Sequence, residues 1–97
     1  MSDLKAQLKE QLALMDWKDL IPHAQRDALI IVDRGLDLIE VGYAIAEDKT
    51  ELVQRWISEQ LIQKPTTQQL SLWNGDETQK FNTIIVQPFV LISIPSS

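Results

Sequence analysis

Few residues in this chain could do chemistry. Its one histidine, His23, stands three residues before Arg26 and four before Asp27, in L-I-P-H-A-Q-R-D-A (20–28). Imidazole can act as a general base or a metal ligand near neutral pH. A guanidinium fork can hold a carboxylate or phosphate. H-x-x-R-D could therefore present an imidazole, a cation and an acid at the mouth of a strand. Asp33, Asp37 and Glu40 follow. On a helix, Asp37 and Glu40 would share a face, as paired carboxylates must for acid–base work. On a strand their odd spacing would point them to opposite faces. His23, Arg26, Asp37 and Glu40 are thus the candidate polar site of a small enzyme or ligand-binding domain.

The remaining signals for chemistry are weak. With no cysteine, disulfides, thiolate catalysis and zinc-finger sites are excluded. The serines sit in no nucleophile-elbow context, and Gly35, Gly42 and Gly75 form no phosphate-cradling pattern. The oxygen-rich spacing of a calcium loop is absent too. No catalytic, metal or cofactor-binding residue is assigned, and no cofactor is expected. Each polar candidate also has a plainer role. His23 suits a half-exposed loop after Pro22, bonded to backbone. Arg26 and Asp27 suit a solvated turn with an ion pair worth at most about 1 kcal/mol. Glu40 lies in an apolar run and needs solvent, or a cation such as Arg26 or Arg34. Among the tryptophans, Trp56 reads as core. Trp73, at a helix end, is the candidate interface anchor, and its plainer role is a lid over the core.

Charge narrows the partners. The net charge is −5, and residues 1–48 hold five Lys/Arg against ten Asp/Glu. No basic cluster exists to displace counterions from phosphates or to bind an anionic membrane. Neither nucleic acid nor a membrane is expected as a partner. The charged, amphipathic N-terminus is no signal peptide, and the apolar run near the C-terminus is too short for a membrane helix. A cytoplasmic location follows. A composition 44% hydrophobic and 24% charged suits a single globular domain over residues 1–97.

The elements that must position these residues are legible in part. Ser2 or Asp3 can cap a first helix with Leu4, Leu8 and Leu12 as its stripe. Asp16 opens a second, and Pro22 ends or bends it. Ala28–Val32 is a buried-strand run, and Asp33-Arg34-Gly35 suits a hairpin turn. Residues 36–46 support two readings; the alternation of Ile39, Val41, Tyr43 and Ile45, with Gly42 inside, favours a strand over a helix. Asp48 with Glu51 suggests a capping-box-like start for a helix over 49–61. Thr66-x-x-Gln69 starts another, which Asn74-Gly75 stops with a left-handed cap.

The tail from Phe81 to Ser97 carries no charge and is rich in Ile, Val and Phe. Such a run must be buried as sheet or it will aggregate. It predicts strands over 82–87 and 89–94, laid as an interior ribbon against Ala28–Val32. Pro88 between them marks an edge position, a bulge or a change of partner. The expected fold class is α+β: a small antiparallel sheet of about three or four strands with helices packed on one face.

Several stretches resemble the landmarks of a family of short bacterial proteins, domain of unknown function 2288. They are L-I-P-H-A-Q-R-D-A (20–28), G-L-D-L-I-E-V-G (35–42), V-Q-P-F-V-L-I (86–92) and the spacing Asp48 … Trp56-Ile57 … Lys64-Pro65-Thr66 … Trp73-Asn74. The resemblance covers nearly the whole chain, and L-D-L-x-E-V is its most specific part. It implies a single-domain bacterial cytoplasmic protein and carries no activity, substrate or catalytic residue. The functional expectation is therefore a small non-enzymatic interaction module, self-associating or docking a protein partner. The docking edge would be 28–32 or the segment beside Pro88. The polar site is the runner-up.

Overall fold

The apolar tail forms the middle of a five-stranded sheet. The computed structural model describes residues 3–76 and 78–93. Along them run α1 (Leu4–Gln11), β1 (Ala13–Asp16), α2 (Trp17–Gln25), β2 (Leu29–Val32), α3 (Leu38–Ala46), α4 (Thr50–Ser58), β3 (Ile62–Gln63), α5 (Thr67–Asn74), β4 (Lys80–Val86) and β5 (Phe89–Ser93). The strand order is β1-β4-β5-β2-β3. β4 and β5 pair antiparallel up to Val86↔Phe89, which leaves Gln87 and Pro88 as the turn. Proline has no N–H to give a ladder, and here none is asked of it. Pro88 is therefore a turn residue and not an edge, a bulge or a change of partner. β5 pairs on its other side with β2, Leu29↔Val90 through Ile31↔Ile92. Over its described residues, 81–93, the tail is the interior ribbon that its composition demands.

The fold is α+β, and its sheet differs from expectation in three ways. It has five strands, because β1 and the two-residue β3 add an edge on each side. It is mixed and not antiparallel, because β2 and β5 run parallel. β1 and β2 thus run the same way with the β4–β5 hairpin inserted between them, a split β-α-β unit. Helices cover both faces and not one. Leu29, Ile31, Phe81, Val90 and Ile92 face Trp17, Leu20 and Trp73 of α2 and α5. Val32, Ile84, Val86 and Leu91 face Leu8, Val41, Ala44 and Trp56 of α1, α3 and α4. The central strands are apolar on both sides, so a single helical layer would leave one apolar face in water. The sheet edges also move. Residues 28–32 and the segment after Pro88 are interior, and the edges are β1 and β3.

Several local expectations are corrected. Residues 38–46 are helical, not extended. Gly42 is there for close approach: a Cβ would meet Val86 Cγ2 at 3.3 Å and Leu8 Cδ1 at 3.6 Å. Asp33-Arg34-Gly35 is no hairpin. Asp33 Oδ2 accepts from Gly35 N–H at 2.8 Å, and the turn leads into α3, where Asp37 Oδ1 caps Ile39 N–H at 2.9 Å. Leu12 leaves the first helix and leads into β1. Pro22 lies inside α2 and does not end it. Its ring removes the donor for the carbonyl of Lys18, an exposed residue that water can reach.

Asp48 does not cap α4; it closes α3. Three helices end in the same way, with a non-glycine residue at positive φ: Asp27 at 60°, Asp48 at 57° and Gln60 at 62°. Ala28 N–H donates to His23 C=O, Lys49 N–H to Ala44 C=O and Leu61 N–H to Trp56 C=O, at 2.8–3.0 Å. These are the six-to-one bonds of Schellman motifs. Gly75, expected as a left-handed cap, has φ −89°. The Thr66/Gln69 capping box is present with both bonds. Asp3 occupies the N-cap of α1 without a side-chain bond. Ser2, the other candidate cap, and Ile94, in the expected last strand, lie outside the described residues. Among the described residues no helix is long and apolar enough to cross a membrane.

Candidate functional site

The polar candidates fall into two separate pairs. His23 is half-buried near the end of α2, not in a loop, and Arg26 follows as that helix's C-cap. Arg26 Nη2 contacts His23 Nδ1. A guanidinium carries donors only, so Nδ1 is the accepting side of this contact. Asp27 pairs with Lys64 at 2.5 Å and not with Arg26. All three residues precede β2.

Asp37 and Glu40 lie beyond the other end of β2. Four residues separate the two groups along the strand, roughly 13 Å at strand rise, and α2 and α3 cover opposite faces. Asp37 is committed to its cap. Glu40 pairs with Lys5 of α1 at 2.8 Å, not with Arg26 or Arg34. That hydrogen bond holds the Lys5 ammonium above its ordinary lysine value. His23 and Arg26 are thus together, and the two acids do not join them. Among the described residues no three His, Cys, Asp or Glu cluster as metal ligands would. Trp73 is no exposed anchor. It is 7% exposed, packed on Trp17 and Phe81 at centroid distances of 5.1 and 4.8 Å.

A sizeable apolar concavity lies elsewhere. A groove of about 620 Å³ opens between the end of α3, α4 and the sheet beside edge strand β3. Ile30 and Phe89 form its floor, Ala44 and Ile45 one wall, Val53 and Ile57 the other, and Ile62 the sheet edge. The sequence builds it in two steps. The left-handed Asp48 turns the chain tightly from α3 into α4. The apolar arc of α4 is then wider than its contact with the core. Leu52 and Trp56 point inward, while Ile57, about 140° round from Leu52, stays 55% exposed. Asp48, Lys49 and Lys64 bring charge to the lining. Lys49 Nζ stands 5.0 Å from the Tyr43 ring centroid. The size and apolar character are those of a pocket for apolar groups with polar groups at its mouth.

Sequence reasoning missed this site. Ile30 and Phe89 were legible only as strand residues, and Val53 and Ile57 only as part of the helix expected over 49–61. The over-wide arc of α4 was the one available signal.

Comparisons with known proteins agree with this architecture. Over its whole length the chain is similar to a solved structure described as the NMR solution structure of PA1075 from Pseudomonas aeruginosa. The TM-score is 0.82 at 31% identity, with 89% of that chain covered. A search of curated proteins finds no match. The model of the family described as "Protein of unknown function (DUF2288)" matches residues 3–93, and the chain belongs to that family.

Proposed function

We propose that the protein is a small non-enzymatic interaction module that takes an apolar cluster of a protein partner into the α3–α4 groove. The groove itself carries the reading. It leaves Ile57 more than half exposed beside half-buried Ile30, Val53 and Phe89, a pocket of the kind that apolar interface anchors fill. The separation of His23 and Arg26 from Asp37 and Glu40 supports a binding role over a catalytic one. The net charge of −5 supports a protein partner over nucleic acid or an anionic membrane. The similarity to a Pseudomonas protein supports a bacterial setting, and the cysteine-free composition supports the cytoplasm, which cell fractionation checks.

The test has two parts. Anilinonaphthalene sulfonate should brighten on binding the wild-type groove and fail to do so with Ile57→Glu, which retains its circular dichroism. A photo-crosslinking residue in place of Gln54, on the groove lining, should give one discrete protein adduct in bacterial cells, lost when Ile57→Glu is added. Dye binding or an adduct unchanged by Ile57→Glu would overturn the reading, as would the absence of any adduct.

A further inference from the structure

Edge strand β1 has a pattern of open backbone groups that matches itself. Its register with β4 runs from Ala13↔Thr83 to Asp16↔Lys80. Trp17 N–H donates to Gln79 C=O at 2.9 Å, in the same register. Antiparallel pairs alternate between bonded and non-bonded. Ala13 and Met15 therefore spend their backbone groups on β4. The N–H and C=O of Leu14, the N–H of Asp16 and the C=O of Leu12 point away from the sheet. The N–H of Leu12 is already given to Leu8 C=O at the end of α1.

This open set is donor–acceptor complementary to its own copy turned by a two-fold axis through Leu14. Leu14 N–H would donate to Leu14 C=O of the second copy, and Asp16 N–H to Leu12 C=O. Both bonds recur by symmetry, so four hydrogen bonds form and the outward set is satisfied. We infer that two copies of this chain pair β1 to β1 in antiparallel fashion, joining their sheets into one of ten strands. A two-fold contact uses the same patch on both partners, which this edge supplies.

The side chains agree. Leu12 is 43% and Leu14 57% exposed, and Ala13 is exposed between them. No charge or proline occurs from Gln11 to Met15 to protect the edge. The nearest charges, Lys9, Glu10, Asp16, Lys18 and Lys80, are of mixed sign, so no like-charged wall opposes the approach. The α3–α4 groove lies at the opposite sheet edge, beside β3, so pairing leaves it open; the inference does not depend on the groove reading. A four-residue strand pair is a small interface, and association is expected between about ten micromolar and one millimolar.

Sedimentation equilibrium across that range should show the mass doubling, with Leu14→Lys remaining monomeric and folded. A mixed-label NMR sample should show an intermolecular contact between Ala13 Hα and Met15 Hα, the close non-bonded pair of this register. That contact keeps the test valid if Leu14→Lys fails to fold. A monomer at one millimolar overturns the inference, as does a dimer unaffected by Leu14→Lys or one whose intermolecular contacts lie elsewhere. A monomer whose Leu14 amide gains protection only in cell extract also overturns it, because the edge then belongs to another protein.

Discussion

Trp73 packs its ring on Phe81 at an interplanar angle of 75°, while Trp17 donates its indole N–H to Asn74 Oδ1 at 2.8 Å. Three aromatics and one hydrogen bond thus clamp α5 to α2 and β4. Trp73→Ala should cost about 3–5 kcal/mol in chemical denaturation, the range for deleting a large buried ring. The surface works by smaller effects. Asp76 Oδ1 accepts from the Thr78 hydroxyl at 2.7 Å and from the Thr78 N–H at 2.9 Å. The hydroxyl first, then the amide, hold the Asp76 carboxyl below its ordinary value. A carboxyl with a lowered folded value contributes stability above its unfolded value and loses it as pH falls through the folded one. Thr78→Val keeps only the amide bond. The Asp76 carbon resonance should then titrate at higher pH than in the wild type, and an unchanged midpoint would refute the assignment.

At the scale of elements, the helix ends govern the path of the chain. Left-handed Asp27, Asp48 and Gln60 each end a helix sharply enough to start β2, α4 or β3 within a few residues. Side-chained residues take this conformation at a cost of about 1–2 kcal/mol, part of which glycine returns in its own chain entropy. Gln60→Gly should therefore raise stability by about 1 kcal/mol, measured as a shift of the denaturation midpoint. Gly42 works in the opposite sense. Its missing side chain lets α3 settle on Val86 and Leu91, so Gly42→Val should cost about 1–3 kcal/mol by overpacking. Both features also explain what could not be read locally. Gly42 lowers helix propensity, and only a packing partner elsewhere in the chain justifies it. Asp48 before Thr50-Glu51 looks like an N-cap until its left-handed backbone shows it to be a C-terminal residue. The Thr66/Gln69 box was legible because both of its bonds lie within four residues.

At the scale of the whole molecule, the sheet order sets a gradient of protection. β4, β5 and β2 are paired on both sides; β1 and β3 are paired on one. Backbone amides of Ile84, Leu91 and Ile30, which bond between the central strands, should exchange slowest, and the outward amides of Leu14 and Asp16 fastest in dilute protein. Slow exchange throughout β1 at low concentration would contradict this edge assignment.

Some of the architecture is local or compositional, and the sequence alone determined it. An uncharged run of Ile, Val and Phe must be interior strand wherever it lies, because water penalises its exposure. Leu29–Val32, with the same character, is its natural neighbour. The α+β class and the tail–β2 contact follow from those two facts. Tertiary structure alone decided the rest: that β2 and β5 run parallel, that helices cover both faces, that residues 38–46 form a helix, and that His23 and Arg26 stay apart from Asp37 and Glu40. Each of these depends on which distant surfaces meet. Pairing direction and layer count are properties of the closed chain, and the groove under Ile57 exists only where two helices and a sheet edge fail to fill the space between them.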